Sequence, residues 1–198
     1  MVNSFDAFKA ESIINKFDID SLNNLSSLDK HYQSNYPVLI EAVADICKNL
    51  NDKSFSLIAH LVYAWMPTIL KSIGSNEKHK NICQKALCLD RNEIDKIKEF
   101  IQDDLTKDLV NNSWVGLSKV LHFINPSVFP IWDSNVANCF SVNTSSKTNY
   151  IKYVAFMNEL NLKENPQVLS VMEITQTTFT RACEFVLFIE GRKLKSHS

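Results

Sequence analysis

Apolar residues recur at helical spacing through most of this chain, and glycine is rare. One run shows the pattern most clearly, since Val110, Trp114, Leu117, Leu121 and Ile124 are spaced four, three, four and three. This spacing places all five side chains on one face of an α-helix. The 198 residues include only three glycines, so tight β-hairpins must be few. The sequence therefore predicts an all-α fold of eight to ten helices.

The length and composition allow one domain. The chain is long enough for one substantial core, or for two small lobes that share one. Hydrophobic residues make up 45% and charged residues 22%, which is ordinary for a globular protein. Two polar stretches, residues 74–80 and 141–147, are the weakest joints. We expect a single all-helical domain over residues 1–198, with a two-lobed multi-helix bundle as an open alternative.

Start and stop signals place individual helices. Asn35 followed by Pro37 predicts the start of one helix, because proline is favoured in the first turn. Ser54 predicts the start of the next helix. Pro67 should kink this second helix, and Gly74 should end it.

Several kinds of protein are disfavoured. No window approaches 18 uninterrupted apolar residues, and the N-terminus lacks the basic and apolar regions of a signal peptide. We therefore expect a cytoplasmic protein with no membrane contact. The five cysteines include no Cys-x-x-Cys pair, which predicts reduced, buried thiols. The dispersed histidines and cysteines indicate neither a metal site nor a cofactor.

A segment with two prolines and one aspartate follows the apolar helix. Residues 118–136 read as the end of that helix, a turn with Pro126 and Pro130, and a second helix opened by Asp133. Asp133 stands three residues before Val136, where an N-cap belongs. Backbone N–H groups and the helix dipole favour an ionised carboxylate there. Such a carboxylate is either a plain helix cap or a group that stabilises a developing cation.

The run Phe129-Pro130-Ile131-x-Asp133-x-Asn135-Val136 resembles the catalytic-aspartate segment of the helix-hairpin-helix DNA glycosylases. The likeness is closest to the endonuclease-III-type and adenine-mismatch branch. It implies an all-helical, two-lobed fold whose active site lies between the lobes. It also implies an enzyme that flips a base out of duplex DNA and cleaves its N-glycosidic bond. Asp133 matches the family's catalytic aspartate, within a helix-turn-helix segment at residues 106–140.

Two positions depart from the family's pattern. The glycine-rich hairpin that grips a DNA phosphate falls on Asn111-Asn112-Ser113, where both glycines are missing. Asparagine tolerates positive φ, so a degenerate hairpin is one interpretation, and an unbroken apolar helix is the other. The family's Schiff-base lysine falls on Val115. Lys119 lies one turn later and is a candidate nucleophile, with a snorkelling lysine as the alternative.

Four further residues are candidates for substrate binding. Trp132 and Trp65 are predicted to line a base pocket, with core packing as the alternative for the cluster around Trp65. His122 is either a proton shuttle near Lys119 or a hydrogen-bonded core histidine. Arg181 either pairs with a nearby glutamate on the helix surface or reaches Asp133 or a phosphate.

Two functions stay open. The first is a DNA glycosylase-like protein that acts on a damaged or unusual base in duplex DNA, with Asp133 and Lys119 as catalytic residues and Asn111 and Asn112 at the DNA. The second is a non-catalytic helical binding module on the same scaffold, with DNA, a protein or a small ligand as its partner. The net charge of −1 favours the second, because DNA-binding domains are usually basic.

Overall fold

The computed structural model describes residues 7–66, 68–74, 79–103 and 109–196. These residues form ten α-helices, one short 3-10 helix at Ile19–Leu22 and no β-strand, so the predicted all-α class is confirmed. The division into two lobes stays a prediction. The α-helices are α1 (Ala7–Asn15), α2 (Ser27–Lys48), α3 (Ser54–Trp65), α4 (His79–Cys88), α5 (Ile94–Gln102), α6 (Trp114–Ile124), α7 (Ser134–Phe140), α8 (Lys147–Glu159), α9 (Pro166–Thr175) and α10 (Phe179–Ser196).

The predicted start of α2 at Asn35 is wrong. The helix begins about two turns earlier, where the Ser26 side chain accepts a hydrogen bond from the Asp29 backbone N–H. Pro37 therefore lies inside the helix, on an exposed position. The helix continues through the proline because the opposite side of α2 is buried, where Tyr36 and Val43 pack into the core.

The helix α3 ends earlier than Gly74. It stops at Trp65, and Met66 has an extended backbone with ψ of 154°. Residues that precede a proline are disfavoured in the α region, which accounts for this stop. Pro67 itself, where a kink was expected, lies outside the described residues. Residues 68–74 then run beside the start of the α6 segment, and the Gly74 N–H donates to the Leu109 carbonyl at 2.7 Å.

The thiols are free, as expected, but not all are buried. Cys83, Cys139 and Cys183 are buried, Cys47 is partly buried and Cys88 is exposed. Within the described part of the chain, no three histidine, cysteine or acidic side chains cluster as metal ligands would. Nor does any helix there combine the length and the apolarity needed to cross a membrane.

The helices pack in two main groups. In one group α6 contacts α2, α3 and α4, and in the other α10 contacts α1, α7 and α9. The packing of α7 on α10 is the most intimate, because Gly191 lies directly against the backbone carbonyl of Asn135. A glycine is needed at this crossing, since a Cβ would overlap that carbonyl.

The connection between α6 and α7 comprises residues 125–133, of which residues 128–132 are buried. Its backbone forms no regular secondary structure, and four of its successive carbonyls accept hydrogen bonds from side chains of other segments. The Pro126 carbonyl accepts from Thr178, and the Ser127 carbonyl accepts from Thr180. The Val128 carbonyl accepts from Asn158, and the Phe129 carbonyl accepts from His122. The backbone N–H of Trp132 donates to Ser118 Oγ at 3.0 Å. These bonds fix the path of the chain up to Asp133.

Replacing Gly191 by alanine should lower the free energy of unfolding by about 1–3 kcal/mol, because the added methyl group overpacks the contact between α7 and α10. An ordinary helical glycine gains up to about 1 kcal/mol from the same change. Urea denaturation of Gly191→Ala and wild type measures the difference.

Gly116→Ala is the matched comparison. A Cβ at Gly116 would meet the Tyr63 hydroxyl and would lie 3.1 Å from the Val110 carbonyl oxygen, whereas a Cβ at Gly191 would overlap the Asn135 oxygen, so a smaller loss is expected at Gly116. Equal stability of Gly191→Ala and wild type would contradict the required close approach.

Candidate functional site

A cavity of about 210 Å³ lies between α2, the end of α3, α6, α10 and the end of the α6–α7 connection. It is larger than the cavity of about 150 Å³ that holds benzene in a well-studied protein core. Five of the side chains in its wall are acidic or basic. They are Asp29, Lys119, Asp133, Arg181 and Glu184. The cavity is thus a half-open volume surrounded by charges of both signs.

Asp133 is held at the N-terminus of α7. Its Oδ1 accepts hydrogen bonds from the backbone N–H groups of Asn135 and Val136, both at 2.9 Å. Only one carboxylate oxygen is used in this cap, and the side chain remains partly exposed at the cavity. The predicted N-cap geometry is confirmed. An anionic group in this place is both oriented and stabilised by the helix end.

Lys119 projects from α6 into the same cavity. Burial lowers the pKa of its amine, and the negative charges of Asp133 and Glu184 partly oppose that shift. Neutral amine is the form that acts as a nucleophile, so a lowered pKa raises the fraction of Lys119 able to react.

Arg181 and Glu184 form an ion pair on α10, through Arg181 Nη1 and Glu184 Oε2. The surface pair expected from the sequence is wrong, because both side chains are buried. Burial raises the pKa of the Glu184 carboxyl to about 7, with the charge of Asp133 adding to the shift and Arg181 opposing it. The guanidinium lies over the rings of Tyr36 and Phe185, at 5.3 Å from each centroid.

Aromatic rings form much of the remaining wall. Trp65 lines the cavity beside Tyr32, with ring centroids 5.4 Å apart, and its Nε1–H donates to the Tyr32 carbonyl at 3.1 Å. On α10, Phe185 and Phe188 stack with centroids 6.2 Å apart. Trp65 and Phe188 are both partly exposed, so each offers aromatic surface to a ligand in the cavity.

The structure brings together four of the residues singled out in the sequence, namely Asp133, Lys119, Trp65 and Arg181. Trp132 is not among them. Its ring is fully buried against Tyr153, with centroids 4.8 Å apart, and its Nε1–H donates to the Thr144 carbonyl. A ring enclosed in this way has no free face for a base, so the predicted stacking role of Trp132 is corrected.

His122 is a core residue and not a wall of the cavity. Its Nδ1–H donates to the Phe129 carbonyl at 2.7 Å, which leaves Nε2 to accept from the Tyr36 hydroxyl at 2.7 Å. Burial lowers the pKa of His122 to about 3, and the charge of Arg181 adds to the shift. The hydrogen-bonded core histidine is therefore the interpretation that the structure supports.

Asn111 and Asn112 form the turn before α6. Both have positive φ, 52° and 48°, and α6 starts at Trp114 with Ser113 as its N-cap. The unbroken-helix interpretation is wrong, because the two positive φ values form a turn before α6. The degenerate hairpin stays a prediction. Neither asparagine lines the cavity. The Asn111 side chain instead binds the backbone of residues 69–72.

Sequence reasoning missed several cavity residues. Tyr32, Gln33 and Asp29 come from α2, whose first two turns were not recognised because Pro37 suggested a later start. Glu184 was seen only as a partner of Arg181. A signal existed for this pair, since Arg181 and Glu184 stand one turn apart within the mostly apolar run at residues 179–189, and charged residues are buried almost only when paired.

Comparisons of the chain with protein-family models, with curated proteins and with solved structures find no match. The chemistry of the cavity is therefore the basis for a function. A fixed carboxylate, a partly buried amine and a buried ion pair surround a volume with flat aromatic walls. This set can bind a planar ring and stabilise positive charge that develops beside it.

Replacing Asn111 by glycine should lower the free energy of unfolding by about 1–3 kcal/mol, although glycine is favoured at positive φ. The loss follows from three hydrogen bonds of the side chain: Oδ1 accepts from Lys71 N at 2.7 Å and Ser72 N at 3.0 Å, and Nδ2 donates to the Ile69 carbonyl at 2.9 Å. Asn112→Gly is the control, since that side chain is exposed and its stability should be unchanged or higher by at most about 1 kcal/mol. Equal effects in thermal denaturation would refute this role of Asn111.

The neutral state of His122 predicts a pH-dependent stability. The unfolded chain takes up a proton on His122 below pH 6.5, whereas the folded chain does so only near pH 3. The unfolded state binds more protons in this window, so stability rises with pH by up to about 1.4 kcal/mol per unit. We expect the stability advantage of wild type over His122→Gln to widen as pH rises toward 6.5.

The comparison has to be made between the two proteins, because Glu184 acts in the opposite direction. Its raised pKa means that the folded state binds more protons between pH 4.5 and about 7, so this carboxyl lowers stability as pH rises. The effect is common to both proteins and cancels in the difference. A gap that is constant with pH would show that His122 is not kept neutral by folding.

Proposed function

We propose that this protein is a DNA glycosylase-like enzyme that removes a damaged or unusual base from duplex DNA. The observation that carries the proposal is the placement of the Asp133 carboxylate and the Lys119 amine in the wall of one cavity. The resemblance of residues 129–136 to the catalytic-aspartate segment of the helix-hairpin-helix glycosylases supports it independently. The base would enter the cavity after it has been flipped out of the helix.

The chemistry follows from the charges. As the bond between the base and the sugar C1′ breaks, positive charge develops on the sugar and the base departs with the bonding electron pair. The Asp133 carboxylate, held by two backbone N–H groups, stabilises that positive charge. Water, or the neutral amine of Lys119, then forms the new bond to C1′.

The size and walls of the cavity agree with a base as ligand. Its volume of about 210 Å³ suits a small planar ring system, and the partly exposed rings of Trp65 and Phe188 supply aromatic surface. Stacking on such surfaces stabilises a base by about 1–3 kcal/mol and tolerates different bases. The cavity can therefore offset part of the cost of unstacking the base from the duplex.

Replacing Asp133 by asparagine should reduce the rate of base release by about 100-fold or more, because the amide cannot stabilise the developing cation. Asparagine is as good an N-cap as aspartate, so the melting temperature should be nearly unchanged. The assay measures base release from duplexes that each carry one damaged or mismatched base, with wild type and variant at equal concentration.

The matched control is Asp18→Asn, which changes another capping aspartate, at the 3-10 helix and outside the cavity wall. It should release bases at the wild-type rate. Lys119→Met in the same assay separates the two routes, because only the amine route requires Lys119. Undiminished activity in Asp133→Asn, or a large loss of its stability, would assign Asp133 to a structural cap alone.

The net charge of −1 favours a second candidate, a non-catalytic binding module with the same cavity. Binding to a duplex that carries an abasic-site analogue, measured at several salt concentrations, distinguishes the glycosylase from the binding module. Tight binding that weakens steeply with salt and prefers the analogue supports the glycosylase. The absence of binding even at low salt would favour the module, with a protein or small ligand as its partner.

A further inference from the structure

The face of α10 that lines the cavity continues beyond it to Arg192. Four side chains of this helix belong to the cavity wall, namely Arg181, Glu184, Phe185 and Phe188. Their spacing of three, one and three residues is that of a single helix face. Arg192 follows Phe188 by four residues on this face, so its Cα lies about 6 Å further along the helix axis. Arg192 is therefore the next residue beyond the cavity wall.

Two residues of the cavity wall fix the Arg192 side chain. Its Nη1 donates to Asp29 Oδ2, on α2, at 2.7 Å. Its guanidinium carbon lies over the Phe188 ring, 5.4 Å from the centroid. An arginine that both stacks on a ring and bonds a carboxylate has already lost much of its side-chain freedom. It can therefore bind a ligand at a smaller cost in entropy.

The ion pair between Arg192 and Asp29 presents its positive member to solvent. The Arg192 side chain is 42% exposed, whereas that of Asp29 is 8% exposed. Among the described residues, the bond to Asp29 uses one of the five N–H donors of the guanidinium. Arg181, the other arginine on this face, is buried and paired with Glu184. Arg192 is thus the arginine of this face that an anion can reach from solvent.

We propose that Arg192 binds a phosphate of the nucleotide whose base occupies the cavity. An extruded nucleotide places its base in the pocket, while its sugar and phosphates stay at the edge. At the edge of this cavity stands Arg192, whose guanidinium can bond two phosphate oxygens through parallel N–H groups. The inference rests on the proposed function, since the nucleotide is then the one that loses its base. It adds a local contact to the DNA backbone in a chain whose net charge is −1.

Asp29 opposes the binding of a phosphate, because its carboxylate carries the same sign of charge. Its Oδ2 accepts from both the Ser26 hydroxyl, at 2.6 Å, and Arg192. The carboxylate thus holds the guanidinium in place and also competes with the phosphate for it. Loss of the Arg192 charge should therefore weaken phosphate binding, and loss of the Asp29 charge should strengthen it.

The test uses free nucleosides and nucleotides with the wild-type protein, without DNA. Each of the four common deoxynucleosides is compared with its 5′- and 3′-monophosphates by isothermal titration. At least one monophosphate should have a dissociation constant about tenfold lower than its nucleoside, as expected for a hydrogen bond between charged groups. Equal affinities, or no binding of any of these compounds, would overturn the proposal. Inorganic phosphate is titrated separately, and binding as tight as that of the best nucleotide would overturn the link between phosphate and base.

Variants at two neighbouring positions assign the phosphate preference to Arg192. Arg192→Gln should remove most of the difference between monophosphate and nucleoside, and Arg192→Lys should retain part of it. Lys193→Gln is the matched control, because it removes the same charge from the next residue. The amine of Lys193 bonds Glu190 and Ser21 and no residue of the cavity wall, so the preference should persist. A preference that survives in Arg192→Gln, or is lost in Lys193→Gln, would refute the assignment.

Asp29→Asn separates a direct phosphate contact from a structural role of the ion pair. Arg192→Gln and Asp29→Asn both break this pair, but a direct contact requires opposite results. The phosphate preference should fall in Arg192→Gln and rise in Asp29→Asn. Loss of the preference in both variants would assign the pair to structure alone. Arg192→Lys together with Asp29→Asn gives the same comparison if Arg192→Gln does not fold.

The two proposals fail separately. Base release from DNA by a protein that shows no preference for monophosphates would overturn the phosphate site and leave the glycosylase proposal intact. A preference that depends on Arg192, without base release from any duplex, would overturn the enzyme and leave a nucleotide-binding cavity.

Discussion

The buried connection between α6 and α7 is the constraint on which the rest of the structure depends. A chain segment without regular secondary structure can cross a protein interior only if its backbone groups find partners. Here the partners are side chains from α6, α8, α10 and the residue just before α10, and they bond four successive carbonyls. An unpaired buried carbonyl would cost about 1–3 kcal/mol, so the loss of Asn158 or His122, whose bonds to the connection are buried, is expensive. Together they fix where α7 starts.

This constraint separates two kinds of polar residue that look alike in the sequence. Ser118 and His122 face the connection and are used to hold its backbone. Lys119, on the same helix, faces the cavity. Likewise Trp132 is enclosed in the core, while Asp133, the next residue, caps α7 at the cavity wall. Residues that hold the core and residues that face the cavity thus alternate along the chain. The core residues fix the positions of the cavity residues next to them.

The charges around the cavity are coupled through burial. Burial acts against ionisation of both Lys119 and Glu184, whereas the presence of opposite charges nearby acts in favour of it. A ligand that enters will displace water and strengthen every one of these interactions, since the effective dielectric falls. Shifted pKa values of this kind occur at functional sites and in structural ion-pair networks alike.

The sequence by itself determined the all-α class and the capping position of Asp133, because helical periodicity and cap preference are local properties. It did not determine where α2 begins, since burial of Tyr36 and Val43 outweighs the helix-breaking tendency of Pro37. Only the tertiary structure decided that Trp65, Lys119, Asp133 and Arg181 share a cavity while Trp132 and His122 do not. Those side chains come from segments far apart in the chain, and no local pattern records which face of each helix meets which neighbour. Helix packing decides whether a polar residue bonds within the core or faces a ligand, because a buried polar group must find its partner wherever the fold provides one.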